Sequence, residues 1–124
     1  MQRAIAVRVI TQTRIKQGME RYPQWRFGLA LWLETFRQTT VGFESFQHIR
    51  RLWKATSGWN LDRVPSRKVL DTAFKGDFDF YLFDIHGTEC RLVTRIQPAT
   101  NKIFVRGAYS HAEYDKWWRS KVSS

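Results

Sequence analysis

Apolar residues along this chain change their spacing once. In the first half, Ile15, Met19 and Tyr22 recur at i, i+4 and i+7, which places them on one stripe of a helix. Tyr22-Pro23 closes that stripe, because the residue before a proline is pushed out of helical geometry. Trp25, Leu29, Trp32, Leu33 and Phe36 then predict a second helix. After a break at Gln38 to Gly42, Phe46, Ile49 and Trp53 predict a third, with His48, Arg50, Arg51 and Lys54 on its other side. Ahead of all three, Ala4 to Ile10 reads as a short strand and Thr11 as the cap of the first helix.

In the second half the period drops to two. Phe78, Phe80 and Leu82 alternate with Asp79, Tyr81 and Phe83; Cys90, Leu92, Thr94 and Ile96 with Arg91, Val93 and Arg95; Ile103 and Val105 with Phe104 and Arg106. Three antiparallel strands are expected, joined through His86 to Thr88 and through Pro98 to Asn101. A three-residue first loop pairs Leu82 with Leu92 and Phe80 with Thr94. A four-residue second loop pairs Ile96 with Ile103 and Thr94 with Val105. In that register the apolar side chains share one face, while Asp79, Tyr81, Phe83, Arg91, Arg95, Phe104 and Arg106 share the other.

Between the two halves, from Thr56 to Gly76, periodicity fails. Ser57, Gly58, Asn60, Pro65 and Ser66 punctuate a stretch that carries Arg63, Arg67, Lys68 and Lys75, and a long basic loop is expected there. The chain closes on Ser110-His111-Ala112-Glu113, the pattern of a helix capping box. Helical spacing then sets His111, Tyr114, Asp115 and Trp118 on one side. The whole predicts one α+β domain over residues 1–124: a strand, three helices, an antiparallel pair of hairpins and a short terminal helix, with the helices covering the apolar sheet face and the first strand at its edge.

Composition fits one core, since 43% of the 124 residues are hydrophobic and nine Phe, six Trp and four Tyr supply bulk. Charge changes the picture more. Lys and Arg total 21 against 11 Asp and Glu, a formal net charge of +10, so a polyanionic partner is expected: nucleic acid first, with a membrane surface or an acidic protein able to use the same field. No apolar run approaches the roughly 20 residues needed to cross a bilayer, and the Ala4 to Val7 stretch is too short for a signal peptide. One cysteine, Cys90, forms no internal disulfide, and a cytoplasmic location is expected, with Cys90 packed in the core. Asp77, Asp79 and Asp84 do not share a strand face; His48, His86 and His111 lack ligand spacing; no glycine-rich phosphate loop is present. Neither a metal nor a small-molecule cofactor is expected.

Four segments resemble the HigB toxins of bacterial toxin–antitoxin pairs, members of the RelE superfamily of ribosome-dependent mRNA interferases. They are Arg8 to Thr11 with Tyr22-Pro23, the hairpin Phe83 to Val93, the strand Ile103 to Arg106, and Ser110 to Asp115. The closing strand and helix, Ile103 to Arg106 followed by Ser110 to Asp115, are the most specific. The likeness runs from about Arg8 to Trp118, with Thr88 where the family usually has Asn and a longer stretch at Thr56 to Gly76. It implies a RelE-like fold and metal-independent cleavage of mRNA in the 30S decoding site by 2'-hydroxyl attack. It also implies a HigA-like antitoxin with a helix-turn-helix domain.

Such cleavage needs deprotonation of a ribose 2'-hydroxyl, charge beside the pentavalent phosphate and a proton for the departing 5'-oxygen. Arg91 and Arg106 suit the phosphate, since a guanidinium presents several donors in a fixed fork. A cross-strand pair with Asp79 or Glu89 is the structural alternative for them. His111 exchanges protons near neutral pH and serves as base or acid; otherwise it packs beside the helix cap. Tyr114 is expected to bond the phosphate or stack on a base, or to fill space. Arg91, Arg106, His111 and Tyr114 are thus the expected catalytic set, with Arg95, Asp115, Lys116, Tyr81 and Lys75 as RNA contacts. The competing reading is a non-catalytic toxin or RNA-binding protein of the same superfold, such as a gyrase-poisoning type.

Overall fold

The computed structural model describes residues 8–10, 12–37, 46–65, 68, 79–97 and 102–121. Helix α1 (Thr13–Arg21), a 3-10 turn (Pro23–Trp25), α2 (Arg26–Arg37) and α3 (Phe46–Ser57) fall where the apolar stripes put them. Strands β1 (Arg8–Ile10), β2 (Leu61–Val64), β3 (Phe80–Ile85), β4 (Cys90–Gln97) and β5 (Lys102–Ser110) precede a last helix, α4 (His111–Lys121), in space and form one sheet in the order β1-β5-β4-β3-β2. Neighbours are antiparallel except β1, which runs parallel to β5. The fold is α+β, with the first strand at the sheet edge.

Helix boundaries follow local chemistry. Tyr22, ahead of Pro23, takes φ −128° and ψ 77° and so ends α1. Gln12 stands at the cap of α1 without a side-chain capping bond, and Thr11, read as that cap, lies outside the described residues. At α4 the capping box is complete. The Ser110 N–H donates to Glu113 Oε1 at 3.0 Å, and the Glu113 N–H donates to Ser110 Oγ at 3.3 Å.

The main core lies between one sheet face and helices α1 to α3, where Ile15, Leu29, Trp32, Phe36, Ile49 and Trp53 meet Phe83, Ile85, Leu92, Ile96, Ile103 and Val105. Phe83 is its centre, edge-on to Trp32 at 5.4 Å and to Trp53 at 6.0 Å. The indole of Trp53 donates to the Asp84 carbonyl at 3.1 Å, which ties α3 to β3. A second, smaller core covers the opposite face. There Tyr114 and Trp117 of α4 pack on Val64, Phe80, Leu82 and Val93. Consequently every residue of β3 is buried.

Two expectations are corrected. The stretch read as a structureless loop contains β2, which pairs with β3 from Leu61 opposite Phe83 to Val64 opposite Phe80. The β3–β4 loop has four residues, His86 to Glu89, and not three, because Ile85 pairs with Cys90. His86 (φ 54°) and Gly87 (φ 69°) both adopt the left-handed conformation in this turn, which glycine takes at no steric cost. Leu82 therefore pairs with Val93 and Phe80 with Arg95, one residue off the expected register, which turns Tyr81 and Phe83 towards the helices. The β4–β5 register is as expected, with Ile96 opposite Ile103 and Thr94 opposite Val105. Beyond that pair a bulge skips Arg106 and sets Gly107 opposite Val93.

Candidate functional site

Along α4, on the sheet face away from the main core, lies an open cleft of about 680 Å³. Asp62, Arg63 and Val64 of β2, Arg91 of β4, Phe46 and Arg50 of α3, and His111, Tyr114, Asp115 and Trp118 of α4 line it. Helical periodicity delivers the last four together, as the sequence predicts.

Arg91 is the hub of the cleft. Its Nε meets Asp84 Oδ1 at 3.0 Å, its terminal nitrogen meets Asp62 Oδ2 at 3.4 Å, and its guanidinium lies 4.5 Å from the centre of the Tyr114 ring. Burial works against the Arg91 charge, but Asp84, Tyr114 and Asp62 outweigh it and hold the group above its ordinary value, so it stays cationic. Burial pushes the Asp84 carboxyl up, against the opposing pull of Arg91. Burial likewise raises the Tyr114 phenol, which therefore remains a proton donor at neutral pH. At the cleft mouth His111 Nε2 stands 3.4 Å from Asp115 Oδ2, one helical turn away, with both side chains largely in solvent. Trp118 is 42% exposed and stacks on Tyr114, with ring centres 6.1 Å apart and planes 15° from parallel.

Two further arginines complete the charge pattern. Arg50 Nε donates to Asn60 Oδ1 at 3.1 Å, and Arg63 lies over the Phe46 ring at 5.1 Å with Asp79 at 3.8 Å. The helix α4 that carries four of the cleft residues is fixed from behind. Glu113 accepts from the Tyr22 hydroxyl at 2.5 Å and meets Arg21 at 3.0 Å, in addition to its capping bond. Burial works against the Glu113 charge, but the bonds from Tyr22 and Ser110 outweigh it and lower its pKa.

Of the expected site residues, Arg91, His111, Tyr114 and Asp115 converge on the cleft. The others do not. Arg106, at the bulge, lines a separate groove beside α1. Arg95 shares the face of Arg91 but is 3% exposed, its guanidinium 4.7 Å from the Phe80 ring centre, so it is a core contact and not a surface one. Tyr81 points into the main core, edge-on to Phe46 at 5.8 Å. Lys116 is exposed on α4 outside the cleft, and Lys75 lies outside the described residues. The structure adds Asp62 and Asp84, the partners of Arg91. Asp84 stands on the strand face of Leu82, two residues on, and that alternation was the available signal; Asp62 was hidden with β2. Among the described residues no group of three or more His, Cys, Asp or Glu side chains could hold a metal ion. No helix among them is long and apolar enough to cross a membrane.

The α+β architecture is consistent with a RelE-like toxin fold, and the family comparison agrees. Residues 29–117 match the model of HigB toxin, described as the RelE-like toxic component of a toxin–antitoxin system. The chain belongs to the HigB toxin family, which makes an antitoxin its implied partner. None of the curated proteins matches it.

Proposed function

We propose that this toxin is a ribosome-dependent mRNA interferase, acting in the decoding site of the small subunit without a metal and neutralised by a HigA-like helix-turn-helix antitoxin. The observation that carries the reading is the convergence of a fixed arginine fork, a protonated phenol and a histidine–carboxylate pair in one open cleft. In the proposed reaction the 2'-oxygen attacks the adjacent phosphorus as its proton leaves, and the bond to the 5'-oxygen breaks. Cyclic phosphate and a 5'-hydroxyl result, with no water consumed.

Arg91, held cationic, offsets the charge gathered on the phosphate oxygens. Tyr114 donates a hydrogen bond to the same phosphate. His111, kept beside Asp115, exchanges the proton at one end of the reaction. Asp62, nearly half exposed and the looser of the two Arg91 partners, is the group an incoming phosphate displaces. Mapping mRNA 5' ends on programmed ribosomes tests the proposal. New ends with wild type, sharply reduced in Arg91→Lys and His111→Ala, are expected. Intact mRNA on ribosomes that nevertheless bind the protein would overturn it in favour of a non-catalytic toxin.

A further inference from the structure

Arg106 was expected beside Arg91, yet it stands in a groove of its own, walled by α1 and the end of β5. We propose that Arg14, Arg21 and Arg106 form a second anion site, which grips the phosphate backbone of single-stranded RNA outside the cleft. The inference rests on RNA being the ligand of this toxin, as proposed above, and adds where else the strand is held.

The groove is built rather than incidental. Among the described residues strand β1 pairs with β5 from Lys102 to Phe104, and beyond that point α1 lies beside β5. Gly18 permits the approach: a Cβ there would stand 2.9 Å from the Cβ of Ala108. Arg14 and Arg21, seven residues apart, share the α1 face on either side of that contact. The bulge aims Arg106 at the same groove, since bulges redirect a side chain out of the ladder. Arg14 donates to the Arg106 carbonyl at 2.7 Å, which locks the two residues together and engages one of the guanidinium's five donors.

Charge separates this groove from the cleft. Asp62 and Asp115 are among the residues lining the cleft, whereas the groove lining brings together Arg14, Arg21 and Arg106, Arg21 with Glu113 as its ion-pair partner. Its volume, about 170 Å³, is below the roughly 300–1,000 Å³ of small-molecule pockets, and it suits a phosphate resting on the surface. Tyr109 lines the groove and His111 the cleft, so the start of α4 divides the two.

The test is the salt dependence of binding to a fluorescein-labelled, 2'-O-methylated RNA oligonucleotide, which cannot be cleaved. Arg14→Ala/Arg106→Ala is expected to weaken binding at low salt and to flatten the plot of log affinity against log salt by about 0.7 per lost phosphate contact, roughly 1.4 in all. Arg14→Lys/Arg106→Lys should keep most of the slope, and circular dichroism checks that both variants are folded. An unchanged slope and affinity in the alanine variant would overturn the site. So would polyglutamate of equal charge competing as well as RNA, which would assign the groove to an acidic protein. Groove-dependent binding by a protein that leaves mRNA intact would support the site while refuting only the nuclease reading.

Discussion

Removing the Arg91 charge should cost stability in a way that depends on pH. In Arg91→Met the Asp84 carboxylate, whose side chain is 9% exposed, loses its 3.0 Å partner. Breaking a fully buried pair typically costs about 3–5 kcal/mol, and since Arg91 is 26% exposed and Asp62 is no substitute for it, about 2–3 kcal/mol is expected near pH 7.5. Asp84 can escape by taking up a proton, which burial already favours. The sign follows: a carboxyl raised in the folded state binds more protons folded than unfolded, so the penalty is full above its folded pKa and fades as pH falls towards its unfolded value. Each pH unit in that window relieves up to about 1.4 kcal/mol. Urea denaturation of Arg91→Met should show a midpoint lowered by about 1–2 M near pH 7.5, from slopes of about 1–3 kcal/mol/M, with the loss smaller near pH 5 and fading towards the unfolded pKa of about 3.9. Arg91→Met/Asp84→Asn should recover most of the loss at the higher pH. Equal losses at both pH values, or no recovery with Asp84→Asn, would refute the argument.

Glu113→Gln should cost on the order of 1–2 kcal/mol near neutral pH, because it weakens charge-assisted bonds from Tyr22, Ser110 and Arg21. Since the Glu113 pKa is lowered, wild type should hold this stability above the unfolded value of about 4.5 and lose it as pH falls through the folded value, so thermal melts of the two proteins should converge in acid. Burial pushes the Cys90 thiol up to about 12, so native protein should resist iodoacetamide near pH 8 and react only when unfolded; rapid labelling would contradict the packing. Trp118→Ala should leave the melting temperature nearly unchanged but weaken oligonucleotide binding by roughly 5- to 150-fold, as loss of a stacking platform worth about 1–3 kcal/mol would do. Unaltered binding would remove Trp118 from the RNA path.

The helices, the capping box and the hairpins were legible because each repeats a simple spacing. The His111, Tyr114, Asp115 and Trp118 stripe needed nothing beyond helical geometry. What failed has three causes. A register inferred from apolar pairing assumes one wet face and one dry face, but α4 covers the second face, and Phe80 to Phe83 is a continuous apolar run of the kind that marks a strand buried on both sides. The one-residue slip moved Tyr81 and Phe83 off the expected RNA face. Strand β2 was missed because Leu-Asp-Arg-Val is too short to show alternation amid turn-forming residues, and with it went Asp62. Arg106 was misplaced because a bulge leaves no trace in alternation.

The two-sided burial of the sheet also has a bearing on timing. The larger core draws on α1 to α3 and the sheet, whereas His111, Tyr114, Asp115 and Trp118 all come from α4. The larger core is thus complete without α4, and the cleft gains its last wall only when α4 docks on the opposite sheet face. In the function proposed above, docking of α4 is the step that arms the toxin, because without it the cleft lacks His111, Tyr114, Asp115 and Trp118.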